Sequence, residues 1–254
     1  MNGVRLVLVL VCLAGCATAT GTATLADGRA GTFPILSRTL GTSRAPVEQP
    51  GTVTGDLSLP AGNDRVPAII VLHSCAGVTP EIANWTRALD TMGYAALVVD
   101  SFTARGVTEV CTGHQSVNPG SRLADLFRAQ ELLITHPRID PQRIGVLGFS
   151  YGGWVARRRA AGQDVSLVEY EGALHGFDVS RYERPRRLPR VVNSSGCTVF
   201  QQEDGTFIDA GGKRFSGASQ CMTVGAWIGY DARAHQQSIA DLHTFLEQAF
   251  ASRR

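Results

Sequence analysis

Three short, uninterrupted apolar runs recur along the chain, at residues 68–72 (AIIVL), 95–99 (AALVV) and 144–147 (IGVL). Strands buried on both faces of a parallel sheet read this way. Between the runs the apolar spacing lengthens to that of helices. Residues 80–92 predict one, with Thr79 as N-cap and Gly93 as stop. Residues 121–135 predict a second, carrying Leu123, Leu126, Phe127, Leu132 and Leu133, and a third opens at Gly152. Residues 164–170 predict a further strand. Residues 231–250 predict a closing helix with Ile239, Leu242, Phe245, Leu246 and Phe250 on one side. Residues 53–59 alternate apolar with polar, as an edge or antiparallel strand should. Segments 198–203 and 206–210 flank Asp204-Gly205, a two-residue turn signal that predicts a hairpin. Strand and helix in alternation predict an α/β fold with a doubly wound, mostly parallel sheet and right-handed crossovers.

Composition adds bounds rather than detail. With 254 residues, 44% hydrophobic and 18% charged, the chain can bury a full core, and one domain is the default. A net charge of +2 gives no reason to expect a nucleic-acid partner. The Arg-rich stretches at 157–159 and 181–190 read as solvated surface. Arg5 followed by the apolar run 6–14 has the charged and hydrophobic regions of an export signal, too short to span a bilayer as a mature helix. Residues 16–50, rich in Gly, Thr, Ala, Ser and Pro without a sustained period, read as a tether. The organisation predicted is therefore a leader at 1–15, a tether at 16–50 and one domain at 51–254.

Leu13-Ala14-Gly15-Cys16 resembles the lipobox of bacterial lipoproteins, in which the chain is cut before the cysteine and the sulfur takes a diacylglycerol. Ala17 resembles the residue that follows in lipoproteins sent to the outer membrane. The resemblance implies export, a membrane anchor on Cys16 and a place on the periplasmic face of that membrane; acyl chains suffice for stable anchoring without a spanning helix. In an oxidising compartment Cys75, Cys111, Cys197 and Cys221 are expected to pair, and four cysteines allow three connectivities. The favoured one is Cys197 with Cys221, which bracket the hairpin, and Cys75 with Cys111.

The chemistry lies at Gly148-Phe149-Ser150-Tyr151-Gly152, directly after an apolar run and opening a helix. A serine on a tight strand-to-helix turn needs glycine at both flanks and presents its hydroxyl at the carboxyl end of the sheet. Such a hydroxyl needs a base and a site for the oxyanion. The Tyr151 N–H, with an amide from the loop at Ser74 and Cys75, fits the second need. His73 in that loop reads as a shaping residue, since it follows the wrong strand for a base. His175, downstream of the serine and after the strand at 164–170, is the candidate base.

Together these segments resemble the dienelactone hydrolase family of α/β-hydrolases: His73-Ser74-Cys75-Ala76-Gly77, Asp100-Ser101-Phe102 with Arg105-Gly106, His136-Pro137-Arg138-Ile139-Asp140, Gly148–Gly153 and Glu171-Gly172-Ala173-Leu174-His175-Gly176-Phe177. The resemblance implies a serine hydrolase of carboxylic esters or lactones acting through an acyl-enzyme, with a small-molecule substrate and no cofactor. Two positions depart from the pattern. Ser74 stands where such loops usually carry glycine, and only 25 residues separate Ser150 from His175. A βαβ unit needs about 30 residues or more, so the sheet is predicted to lack one or two strands, and the family's catalytic acid has no counterpart. Asp164, Glu169, Glu171 and Asp178 are the acids in reach, and Glu171, near the carboxyl end of its strand, is the choice among them. The alternative is a non-catalytic or degenerate hydrolase-like lipoprotein with an incomplete triad. No grouping of His, Cys and carboxylates has metal-ligand spacing.

Overall fold

The computed structural model describes residues 4–10, 24–40, 49–112, 117–159, 166–194, 196–201, 207–215 and 219–251. Cys16, His114, Asp164 and the Asp204-Gly205 turn lie outside them. The chain forms two compact units. The larger comprises Leu6–Val110, Gln115–Val168 and Gln237–Arg254, and the smaller Met1–Arg5, Cys111–His114 and Glu169–Gln236. Beyond Val168 the sequence has no further long apolar run, and its strands pair locally instead of extending a buried sheet.

The larger unit is built on strands β1 (Val4–Leu10), β2 (Gly31–Thr39), β3 (Gln49–Ser58), β4 (Val66–Leu72), β5 (Ala95–Asp100) and β6 (Ile139–Gly148), in the spatial order β2-β3-β5-β4-β6-β1. Its centre is parallel: β4 runs alongside β5 and β6, with Ile70 level with Leu97 on one side and Val146 on the other. On the β5 side the sheet turns antiparallel through β3 and then β2. The three apolar runs are the three central strands, and every residue from Ala68 to Leu72 is buried. β-Branched side chains suit such doubly covered strands because χ1 is already restricted.

Two segments read as non-domain are part of this sheet. The supposed tether contains β2, whose Phe33, Ile35 and Ser37 point inward, and Leu25 just before it is fully buried. With so few inward apolar positions among Thr, Ser, Gly and Pro, the alternation is too sparse to read by composition. The apolar core of the predicted leader is extended as β1, antiparallel to β6, with Val9 opposite Val146. β6 begins well before the apolar run at 144–147, at Ile139, so Asp140 and Pro141 lie within the strand.

Helices α1 (Ile82–Thr91), α2 (Pro119–Leu133) and α3 (Tyr151–Arg159) follow the predicted positions. Thr79 does not cap α1 with its side chain; its carbonyl accepts from Ile82 N instead. Asn118 caps α2 by accepting from Ser121 N, with Pro119 in the first turn. Such a cap satisfies an amide that the helix cannot. A buried ion pair ties α2 to the sheet: Arg105 Nη1 and Nη2 donate to Asp125 Oδ2 and Oδ1 at 2.7 and 2.8 Å. Ser37 Oγ donates to the same carboxylate, and Arg105 also donates to the Ser101 carbonyl. β2, the turn after β5 and α2 therefore meet on one carboxylate.

Strand β7 (Ser166–Tyr170) passes from the larger unit into the smaller. There β8 (Arg186–Asn193) pairs antiparallel with β11 (Thr223–Ile228), and β9 (Val199–Gln201) with β10 (Phe207–Asp209), which is the predicted hairpin. Cys197 and Cys221 are joined as expected, and Cys75 and Cys111 are each disulfide-bonded as well. Helix α4 (Ala232–Ala251) returns to the larger unit, where Leu242, Leu246 and Phe250 are buried and Phe250 packs on Tyr94. Among the described residues no helix is long and apolar enough to cross a membrane.

Asp125 is fully buried, so Asp125→Ala leaves the Arg105 guanidinium without its carboxylate in a low-dielectric setting. A loss of about 3 to 5 kcal/mol is expected, read as a shift of the urea unfolding midpoint at unchanged slope.

Candidate active site

The turn between β6 and α3 is held against the end of β4. Phe149 N donates to the Leu72 carbonyl at 3.0 Å, and Gly152 N to the Phe149 carbonyl at 2.8 Å. A Cβ on Gly152 would collide with the Leu72 carbonyl, and one on Gly148 with the Gly152 carbonyl. Both glycines are therefore there for close backbone approach. Between them Ser150 adopts φ 50°, the single non-glycine residue with positive φ among those described. Such a conformation costs on the order of 1 to 3 kcal/mol and persists only where neighbours enforce it. The Ser150 side chain is exposed at the mouth of the turn. Tyr151 opens α3, so its N–H lies at the positive end of the helix.

The loop after β4 is shaped from beneath. His73 is fully buried, and its ring nitrogens are both used: Nδ1 lies 2.7 Å from the Ser74 carbonyl, and Nε2 accepts from Ser101 N at 3.2 Å. Since one contact needs a donor and the other an acceptor, the ring is the neutral Nδ1–H tautomer. Burial and the nearby Arg122 charge hold its pKa down at about 4, against the opposing pull of the Ser74 carbonyl and Asp100. His73 is thus a loop-shaping residue, as its strand implied. Ser74 does not have positive φ, so this loop makes no demand for glycine there. Its hydroxyl accepts from Ala76 N, and the Cys75 carbonyl accepts from Val110 N at 2.8 Å.

Arg122 is the residue that sequence reasoning missed. It sits on α2 with no exposed surface, and its Nη2 donates to the His73 carbonyl at 2.7 Å. The guanidinium faces the rings of Phe102 and Tyr151 at 5.3 and 5.1 Å. Burial lowers its pKa to about 10, against the opposing influence of Tyr151 and Asp125. Burial also pushes the Tyr151 phenol up to about 12, and its hydroxyl donates to the Val117 carbonyl. One buried cation thus braces both the loop after β4 and the residue after the serine. No apolar periodicity betrays an arginine in such a place. An open depression of about 330 Å³ lies beside the loop, between Ala76–Val78 and Phe102–Thr108. Ser150 is not among its walls.

The smaller unit holds His175 and the acids near it. His175 lies after β7 and bridges to Ile228 at the end of β11. Desolvation by the surrounding protein draws its pKa below the usual imidazole value, and the Asp178 carboxylate pulls the other way. The side chain itself is exposed, so water limits the first effect. Asp178 acts in the same sense on His235. Glu171, the acid chosen from the sequence, is exposed and is not among the charges that act on His175. Ser150, Tyr151, Ser74 and Cys75 belong to the larger unit, and His175, Asp178 and Glu171 to the smaller.

Residues 53–166, which carry the central strands, the loop after β4 and the serine turn, match the model of the dienelactone hydrolase family. Over that span the chain is similar to the dienelactone hydrolase family. A curated Synechocystis sp. relative whose assigned name is carboxymethylenebutenolidase is 27% identical over 152 residues, covering 55% of this chain and 60% of that protein. Among solved structures, dienelactone hydrolase from Anabaena variabilis is 21% identical, covering 52% of this chain and 58% of its own, with a TM-score of 0.37. Est1E from Butyrivibrio proteoclasticus is 16% identical, with coverages of 52% and 46% and a TM-score of 0.39. The chain thus spans well under two thirds of the length of these relatives. The family match stops between Ser150 and His175.

Because the folded pKa of His73 is depressed, its neutral form stabilises the fold in full above the unfolded value of 6.5. That contribution is lost as pH falls from about 6.5 to about 4, at most about 3 kcal/mol. Unfolding free energy measured across that window is expected to fall with acid, and His73→Gln to flatten the dependence. Gly152→Ala, which drives a methyl into the Leu72 carbonyl, is expected to lower the melting temperature sharply, while Gly172→Ala in the smaller unit leaves the serine turn intact.

Proposed function

We propose that the protein hydrolyses carboxylic esters or lactones through an acyl-enzyme on Ser150. The observation that carries this reading is the enforced positive φ of Ser150 between two glycines packed on the end of β4, the conformation of a nucleophile elbow. His175 serves as general base, taking the Ser150 proton as the hydroxyl attacks and returning it to the leaving alkoxide. The Tyr151 N–H, with an amide of the Ser74–Cys75 loop, receives the developing oxyanion. Asp178 replaces Glu171 as the acid that steadies the imidazolium, on the strength of its charge acting at His175. Arg122 positions the loop through the His73 carbonyl and touches no reacting atom.

A second reading, a non-catalytic hydrolase-like lipoprotein, is favoured by the 25-residue interval between Ser150 and His175 and by the end of the family match at residue 166. In both readings Cys16 carries the lipid after export to the periplasmic face of the outer membrane. Cleavage before Cys16 takes β1 out of the sheet and removes its pairing from β6.

Purified protein is expected to release product from short-chain aryl esters and to take a serine-directed phosphonate at Ser150, both abolished by Ser150→Ala. No turnover and no labelling in the parent protein would establish the second reading. Asp178→Asn is expected to lower kcat by up to about 10⁴-fold, and Glu171→Gln to leave it within about twofold; the reverse order would return the acid's role to Glu171.

A further inference from the structure

The segment absorbed by neither the fold nor the site is the arginine-rich one. Arg181, Arg184, Arg186, Arg187 and Arg190 fall within ten residues that contain one acid, Glu183, and all five arginines are exposed. They are held on a defined surface. Arg181 and Arg186 lie over the Tyr182 ring, and Arg186, Arg187 and Arg190 are on β8, paired with β11. Trp227 on β11 stands directly opposite Arg187, and both are exposed, Trp227 by 57%. Val224, on the other side of a bulge at Gly225, is 60% exposed.

The bulge is what seats Arg187. Gly225 has φ +100°, and a Cβ there would strike the Arg187 guanidinium, which crosses the glycine to donate to the Val224 carbonyl at 3.3 Å. A cation is thereby fixed between a protruding indole and a protruding aliphatic side chain. Tryptophan prefers the depth at which acyl chains meet head groups, and arginine the phosphate layer above it. Nucleic acid or an acidic protein would meet the charge but give Val224 no apolar layer.

We propose that the β8–β11 ribbon is a docking surface for an anionic phospholipid bilayer, with Trp227 and Val224 entering the interface and the arginines of β8 contacting lipid phosphates. The proposal does not rest on the hydrolase reading. It makes the ribbon, and not only an acyl chain, a determinant of how the chain sits on a membrane.

The test uses the full chain with vesicles of phosphatidylcholine alone or mixed with phosphatidylglycerol, and reads Trp227 itself. In the mixed vesicles tryptophan emission is expected to shift to the blue and to be quenched by brominated phospholipid. Trp227→Phe should remove that quenching, because Trp85 is buried and Trp154 lies on α3. Each arginine at an anionic surface contributes about fivefold, so the double change Arg187→Ala and Arg190→Ala is expected to weaken the quenching titration at least about tenfold. Equal quenching after Trp227→Phe, equal response to phosphatidylcholine alone, or no effect of the arginine changes would overturn the proposal. So would a lipid-independent dimer in sedimentation that buries Trp227, or duplex DNA competing off the vesicles. Matching melting midpoints for parent and variants keep the readout free of unfolding.

Discussion

The end of β4 and the turn after β6 share a space too narrow for a side chain. Leu72 presents its carbonyl to Phe149 N, and Gly152 packs against that same carbonyl. Parallel neighbours that finish at the same level make this possible, since Leu72 lies opposite Gly148. With the backbone drawn so close, the chain can leave β6 and enter α3 only through a left-handed residue, and Ser150 occupies that place. The exposure of the hydroxyl, the orientation of the Tyr151 amide and the proximity of the loop after β4 all descend from this contact. Backbone strain at one serine is maintained by packing that the sheet enforces.

Beneath that contact the larger unit keeps charge where an interior usually has none. Arg105 and Asp125 form a bidentate pair that joins β2, the turn after β5 and α2. Arg122, one helical turn earlier on α2, spends its charge on the His73 carbonyl and on two aromatic faces. Pairing and hydrogen bonding are what make buried charge tolerable. Their effect is rigidity under the loop after β4, because His73 cannot take a proton or turn its ring without breaking a contact on either side.

In the smaller unit Asp178 stands three residues beyond His175, and its charge acts on that ring. In a chain with only 25 residues between Ser150 and His175, there is no room for a strand, helix and strand to bring an acid from elsewhere. Under the proposed mechanism a local acid such as Asp178 would meet that need from within the same loop. The remaining surface of that unit, the Arg-rich ribbon, is organised by a different rule, with side chains displayed rather than buried.

Local pattern alone determined much of this protein. Apolar runs located β4, β5 and β6 because residues covered on both faces cannot be polar, and the glycine spacing around Ser150 announced the turn because no other residue fits it. The Asp204-Gly205 signal marked the hairpin, and the place of His73 and His175 after their strands separated a shaping histidine from a candidate base. β2 was hidden because only three of its residues face inward. Arg122 was hidden because a buried cation leaves no periodic trace. Tertiary structure decided these, together with the division into two units. Hydrophobic burial repeats with the local period of the backbone and can be read along it, whereas charge pairing and loop direction are set by groups brought together only after the chain has folded.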